Sequence, residues 1–410
     1  MWHGVFVRRV KIEVTAEDRR LALRQSRGVL DEHLARLAVE PVHGNTRLTG
    51  DQLVLGLLLA FFDPLARSLR RIEGCGDFTG RLNLQRLARS TTADALALFD
   101  PARLRPLIAD LRQRVPALAH DDADLDSIAR KIIAADGTYL NTIVDVAWAL
   151  RQHKSNGHPQ RRVRINVQMD VLHWTPEVVS VSGDDGESEP AAFARDLLDN
   201  VLYVVDRNFV AFDFLHQVLE HKSDFVLRIK RNMPAMRTLS SRVLLAADAE
   251  AGVVADEIVQ LVGPGAPERE LRCVTLTTLN RGGAPETIRL LTSLNDADAV
   301  ASRVIGAIYR QRWQIELFFK WLKTWARMDH LLSTSRQGIQ TQFYIAVIAV
   351  LMMSVQSGKR VSIYTLAAFS RVARGEMSLA DALNVIARRE HERDLDRARQ
   401  ARRRACKKLA

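Results

Sequence analysis

The chain has 410 residues, with 59 Lys and Arg against 48 Asp and Glu for a net charge of +11 at pH 7. That length suits two or three domains with a sizeable buried core and excludes a chain too small or too polar to fold alone. Cys75, Cys273 and Cys406 are odd in number and far apart, with no CxxC and no His-rich partner run, which argues against a disulfide framework or a zinc site and fits a reducing cytoplasm.

The opening MWHGVFVRRVKIEV lacks the apolar core of a signal peptide. Residues 1–125 read as mostly helical, with DQLVLGLLLAFF and PARLRPLIADLRQRV punctuated by turn residues such as those in EGCGDFTG. Within them, LNLQRLARSTTADALALFD has the form of two short helices about a Ser-Thr-Thr cap. That form suits a helix-turn-helix on DNA and equally a plain helical pair.

From 126 to 231 the texture becomes α/β: ARKIIAADGTYL, VRINVQMDVL and VLYVVDRNFV are short runs rich in Val and Ile, followed by the helical HQVLEHK. Residues 232–294 hold the strand-like VVADEIVQLV, LRCVTLTTL and ETIRLLTSL, the last two joined by NRGGAP, a turn suited to a hairpin. A β-rich insertion is expected there. Residues 295–356 carry the charged helix YRQRWQIELFFKWLK and the apolar FYIAVIAVLMMSV. The apolar run is short for a membrane span of about 20 residues, so it reads as a buried helix. Residues 357–410 end in REHERDLDRARQARRRACKK, a basic helical tail.

The positive excess is local. Residues 301–336 hold seven bases and two acids and residues 388–410 hold ten and four, which together account for the whole +11. The rest of the chain is balanced, so these two segments look like sites for a polyanion.

Two strand-like runs end in an aspartate, KIIAAD at Asp136 and VLYVVD at Asp206. The carboxyl ends of strands in an α/β sheet are where functional side chains emerge into a crevice. An Asp before Gly137 is also an ordinary turn residue. The charged helix adds a stripe. At about 100° per residue with Tyr309 at zero, Arg312 falls at about 300°, Glu316 at about 340° and Lys323 at about 320°. Ile308, Ile315, Phe318 and Leu322 fall on another face, which a core would take. Arg312 and Glu316 are also an i, i+4 pair, and as a surface salt bridge would be worth only about 0.3–0.5 kcal/mol. Trp313, Trp321, Trp325, Phe318 and Phe319 read as core packing before base-stacking platforms. His216, His221 and His330 have no metal-ligand spacing. Three carboxylates brought to one spot repel one another unless cations neutralise them, and hard oxygen donors suit Mg²⁺ or Mn²⁺.

Tyr309, Arg312, Glu316 and Lys323 match Y-x2-R-x3-E-x6-K, and with ADGTY about Asp136 and VDRNF about Asp206 the chain resembles the bacterial insertion-sequence transposases of the DDE superfamily that carry this signature. The likeness runs from about 126 to 355. It implies an α/β fold: a ribonuclease-H-like core with a β-rich insertion, preceded by a helical DNA-binding N-terminal domain and followed by C-terminal helices. It implies that Asp136, Asp206 and Glu316 hold two Mg²⁺ ions, for which Mn²⁺ substitutes. Tyr309, Arg312 and Lys323, with Lys320 and Arg207, would contact the transposon end. The activity implied is DNA cleavage and strand transfer. The partners are double-stranded DNA, as element ends and target, and a second copy of the chain in the end complex. The setting is the bacterial cytoplasm, at the nucleoid when bound, with no membrane. Members that cut through a DNA hairpin are associated with a Trp in the β insertion, and all six Trp residues here lie outside 232–294, so the likeness leaves the choice between a hairpin and another cleavage route open. The same core would also suit a metal-dependent nuclease or junction resolvase. A catalytically silent DNA-binding derivative would be favoured by loss of one of the three carboxylates, and all three are present.

Overall fold

The computed structural model describes residues 30–39, 42, 48–63, 66, 68–74, 87–116, 122–141, 149–153, 159–183, 187–229, 235–279, 283–326, 328 and 330–409. Cys75, the start of the expected helix-turn-helix at 82–86 and residues 280–282 of the hairpin turn lie outside them. After a helical run at 30–37, the longer helices before the sheet are α1 (Gly50–Phe62), α2 (Arg89–Leu98) and α3 (Arg105–Arg114), with the short helix Leu69–Gly74 between the first two. Their apolar stripes bury Leu53, Val54 and Leu57, then Ala95 and Leu96, then Leu107 and Leu111, the spacing that turns one helix face inward.

The Val- and Ile-rich runs follow as β1 (Ile132–Asn141), β2 (Leu150–His153), β3 (Pro159–Asp170) and β4 (Thr175–Ser182), then α4 (Glu189–Ala194), β5 (Leu202–Val205), α5 (Phe212–Glu220) and β6 (Asp224–Arg228). Next are β7 (Met236–Ser241), β8 (Val253–Leu261), β9 (Leu271–Leu279) and β10 (Pro285–Thr292). Five helices close the chain: α6 (Ser302–Gln311), α7 (Trp313–Thr324), α8 (Arg336–Ser357), α9 (Ile363–Ala373) and α10 (Leu379–Leu409).

The ten strands among the described residues join one mixed sheet. β3 runs antiparallel between β1 and β4, while β5 is parallel to β1 and β6 parallel to β5. β10 then pairs antiparallel with β6, and β9, β8 and β7 follow outward. The strands of 232–294 therefore lengthen the sheet that carries both aspartates. Side chains alternate along a strand, so Ile132 and Ala134 enter one core with Ile305, Ile308, Ile315 and Phe318. Ile133 and Ala135 enter another, with Phe193, Phe209 and Phe214. Helices thus cover both faces, α6, α7 and α8 on the first and α4 and α5 on the second.

The stretch YRQRWQIELFFKWLK is two helices rather than the single one its spacing suggests. α6 gives way to α7 through Arg312, where the Arg312 N–H donates to Tyr309 O at 3.1 Å and the Ile315 N–H to Arg312 O at 3.3 Å. These three-residue bonds tighten the turn. α6 lies along β5, β6 and the outer strands while α7 lies against β1, two directions that one straight helix does not serve. Phe318, Phe319 and Trp321 are buried as expected, but Trp313 and Trp325 are 44% and 41% exposed, so these two are surface residues.

The start of α6 is tied to the outer strands by a buried polar network. Arg272, with no exposed surface, donates to both Asp256 oxygens at 2.9 and 2.7 Å, to Val300 O at 2.7 Å and to Ser302 Oγ at 3.1 Å. Ser302 Oγ in turn donates to Asp256 at 2.8 Å. The apolar run at 343–355 lies in α8, whose 22 residues are long and apolar enough to cross a membrane, yet 83% of its apolar window is buried in the fold. α8 packs on α1, α2, α3 and β4, so it is apolar all round because it is surrounded.

Candidate functional site

Asp136 is not at a strand end. β1 runs on to Asn141 because β3 stays paired with it as far as Asn141 and Arg162. β5 stops earlier, its parallel register with β1 ending at Ala134 and Val204. Continuing that register by two residues sets Asp136 abreast of Asp206, whose charge acts on it. Asp206 caps the short 3-10 turn Arg207–Phe209, its carboxylate accepting from the Asn208 N–H at 2.6 Å. Alternation carries the Asp136 side chain, like Ala134 before it, onto the face of α6 and α7.

The helices bring Arg312 to meet it. Arg312 Nη1 is 3.8 Å from Asp136 Oδ2, and its Nη2 donates to Glu316. The i, i+4 pair therefore exists, but its arginine also bridges to a carboxylate on the sheet. Burial would lower the Arg312 pKa, yet the hydrogen bond to Glu316 and the charges of Tyr309 and Asp136 leave it raised. Burial pushes the Tyr309 phenol up, against the pull of the Arg312 guanidinium. Lys323 is partly buried; desolvation and the nearby Arg162 lower its pKa, and the Asp136 carboxylate opposes them. Arg312 and Lys323 thus act on Asp136, Tyr309 feels Arg312 and Asp206, and Glu316 is joined to the group through Arg312. Lys320 and Arg207 are exposed.

Asp136 is pushed up to about 7, first by burial, then by the charge of Glu189, with Arg312 opposing and Asp206 adding. Glu189 did not stand out in the sequence, where an acid after Ser188 and before Pro190 reads as a helix start. Glu189 opens α4, and its carboxyl is itself raised, by burial and then by Asp206, with the Gly137 N–H and Arg164 opposing. Among the described residues no three His, Cys, Asp or Glu groups stand close enough together to hold a metal ion. The donor chemistry nevertheless fits one. Oxygen-only carboxylates crowded as Asp136, Asp206 and Glu189 are repel one another, and a hard divalent cation relieves that repulsion. Here the Arg312 guanidinium supplies the positive charge between Asp136 and Glu316.

A family model identifies the catalytic part of the chain: described as the transposase DDE domain, it matches residues 128–352. A protein of Sinorhizobium fredii bearing a transposase name is 28% identical over 210 residues, which are 51% of this chain and 56% of that protein. A Synechocystis protein named as a transposase for insertion sequence element IS4SA is 26% identical over 162 residues, 38% of this chain and 41% of its own. The chain thus spans about half the length of the curated relatives it matches. A solved cryo-EM structure of a piggyBac transposase synaptic complex with hairpin DNA shares 12% identity at TM-score 0.40, covering 90% of this chain and 80% of that one.

Proposed function

The chain belongs to the transposase DDE domain family, and from that membership we propose that it is an insertion-sequence transposase, which binds the ends of its element and carries out metal-dependent cleavage and strand transfer on DNA. The observation that carries the reading is the placement of Asp136 beside Asp206 and, through Arg312, beside Glu316. Antiparallel β4, β3 and β1, continued by parallel β5 and β6 with a carboxylate-bearing helix across one face, support the ribonuclease-H-like reading of the core. The same proposal assigns residues 1–125 to DNA binding, 126–231 and 295–356 to the core, 232–294 to the insertion and 357–410 to a basic tail. Two copies of the chain would hold the paired ends.

Asp136, Asp206 and Glu316 would hold the metal, Mg²⁺ or in its place Mn²⁺. Two such ions, when bound, supply an activated attacking oxygen and charge compensation at the leaving oxygen of a phosphodiester. The chain's own part is to bind and orient. Arg312, once released from the carboxylates, offers a planar fork to two phosphate oxygens. Lys323 offers a point charge and Tyr309 a hydroxyl on a rigid ring. Lys320 and Arg207 would extend the backbone contacts at the rim. In this proposal the four residues of the signature, spread along α6 and α7, would together line the path of the DNA strand at the carboxylates.

Changing Asp206 to Asn tests the reading. Losing one charged ligand is expected to slow single-turnover cleavage of a labelled element end about a thousandfold, or about 4 kcal/mol of transition-state stabilisation. End binding should persist. Cleavage by Asp206→Asn at the wild-type rate would remove the assignment. A pre-cleaved end joined to target DNA by the wild-type protein separates transposition from simple hydrolysis.

A further inference from the structure

The notch at Gly137 is where the structure departs from a site of three acids. A Cβ built on Gly137 would lie 2.6 Å from Glu189 Oε1 and 3.3 and 3.4 Å from Arg164 Cδ and Cγ. The glutamate carboxylate therefore occupies the space that any other residue at 137 would fill. Gly137 directly follows Asp136, whose Oδ1 accepts from the Gly137 N–H at 2.8 Å. The same Gly137 N–H also acts on the Glu189 carboxylate, so it faces both acids. Arg164 forms a wall of the notch. It is 8% exposed, an Nη donates to Ser188 O at 3.4 Å, and its Nε has no partner among the described residues. It holds the first turn of α4 against β3 and places a positive charge beside Glu189.

We propose that Glu189 is a fourth carboxylate of the site, set beside Asp136 and Asp206 to hold a divalent cation, and that the glycine at 137 is the opening that admits it. The inference rests on the metal-dependent reading of Asp136, Asp206 and Glu316. It goes beyond that reading because Glu189 comes from a different element, α4, beyond both the signature and the two aspartate motifs. The charges are consistent: Glu189 and Asp206 each act on Asp136 as like charges, an arrangement a cation makes favourable. Glu189 is a positioning residue or a direct ligand according to how near the ion it stands, and either role requires its charge in the notch.

The test uses the full chain and Mn²⁺ alone, titrated by calorimetry, with melting measured in chelator. Glu189→Gln keeps the shape and removes the charge. Gly137→Ala keeps every charge and displaces the carboxylate, which as the far end of a flexible side chain can move aside and leave the fold intact. Each is expected to weaken Mn²⁺ binding about tenfold or more. The double variant should be no weaker than either single one, because both changes remove the same interaction. A purely structural Glu189 would instead lower the metal-free melting temperature and leave Mn²⁺ affinity unchanged, which would overturn the proposal. Asp206→Asn serves as the reference. If it loses Mn²⁺ while Glu189→Gln and Gly137→Ala bind as the wild type does, Glu189 is excluded and the three-acid site stands. If the wild type itself binds no Mn²⁺, the metal reading and this inference fall together.

Discussion

Asp136 keeps its proton over a range where an ordinary aspartate has lost it, because burial and the neighbouring Glu189 raise it from 3.8 to about 7. An acid whose pKa is higher in the folded state holds its proton more tightly there. The metal-free protein should therefore be most stable below pH 3.8 as far as this group is concerned, and lose that contribution as pH rises to about 7. Each unit of difference corresponds to about 1.4 kcal/mol. A cation has to displace the same proton, so Mn²⁺ affinity should climb with pH and level off above about 7. Melting curves in chelator from about pH 4 to about pH 8 check the first statement, because Asp136→Asn should flatten the decline seen in the wild type. Parallel curves for the two proteins would contradict the raised proton affinity. Single residues were the most legible level of the sequence. Asp136, Asp206, Tyr309, Arg312, Glu316 and Lys323 stood out because their order and spacing are written in the chain. Glu189 did not, since its meaning depends on a missing Cβ in a distant strand.

At the scale of elements, the strands and helices fell where the Val- and Ile-rich runs and the apolar stripes placed them, while their limits were set by tertiary pairing. β1 outruns KIIAAD because β3 pairs with it to Asn141. The charged helix turns at Arg312 because its halves follow different parts of the sheet. The pairing of β10 with β6 joins segments distant in the chain, and no local pattern announces it. The Arg272 network shows how the outer strands bear on the site: Asp256 and Arg272 on β8 and β9 grip Ser302 at the first turn of α6, the helix that ends beside Arg312. Asp256→Ala would leave a buried guanidinium without its counter-charge, and breaking such a pair costs about 3–5 kcal/mol. Replacing both partners, Asp256→Leu with Arg272→Met, should recover most of that loss. Urea denaturation of the two variants decides the matter. A single variant as stable as the wild type would mean that the network does not hold α6.

For the molecule as a whole, the sheet is one surface with helices on both faces, and one of the two positive segments, 301–336, contains α6 and α7 above Asp136. The other lies on α10, a helix from Leu379 to Leu409. The core they enclose depends on α8, and nearly everything α8 packs against comes earlier in the chain: α1, α2, α3 and β4. A protein lacking residues 1–116 should expose the apolar surface of α8 and be recovered in aggregates or only with detergent. Co-expression of residues 1–116 as a separate fragment should restore a soluble protein, as judged by fractionation and gel filtration. A truncated chain that stays monomeric in buffer would contradict the dependence. Synthesis from the N-terminus gives this order a further meaning, because domains begin to fold while the chain is still being made. The helices that will receive α8 leave the ribosome before it does. A segment of membrane-spanning length thus emerges only after the elements that bury it in the finished fold have been made.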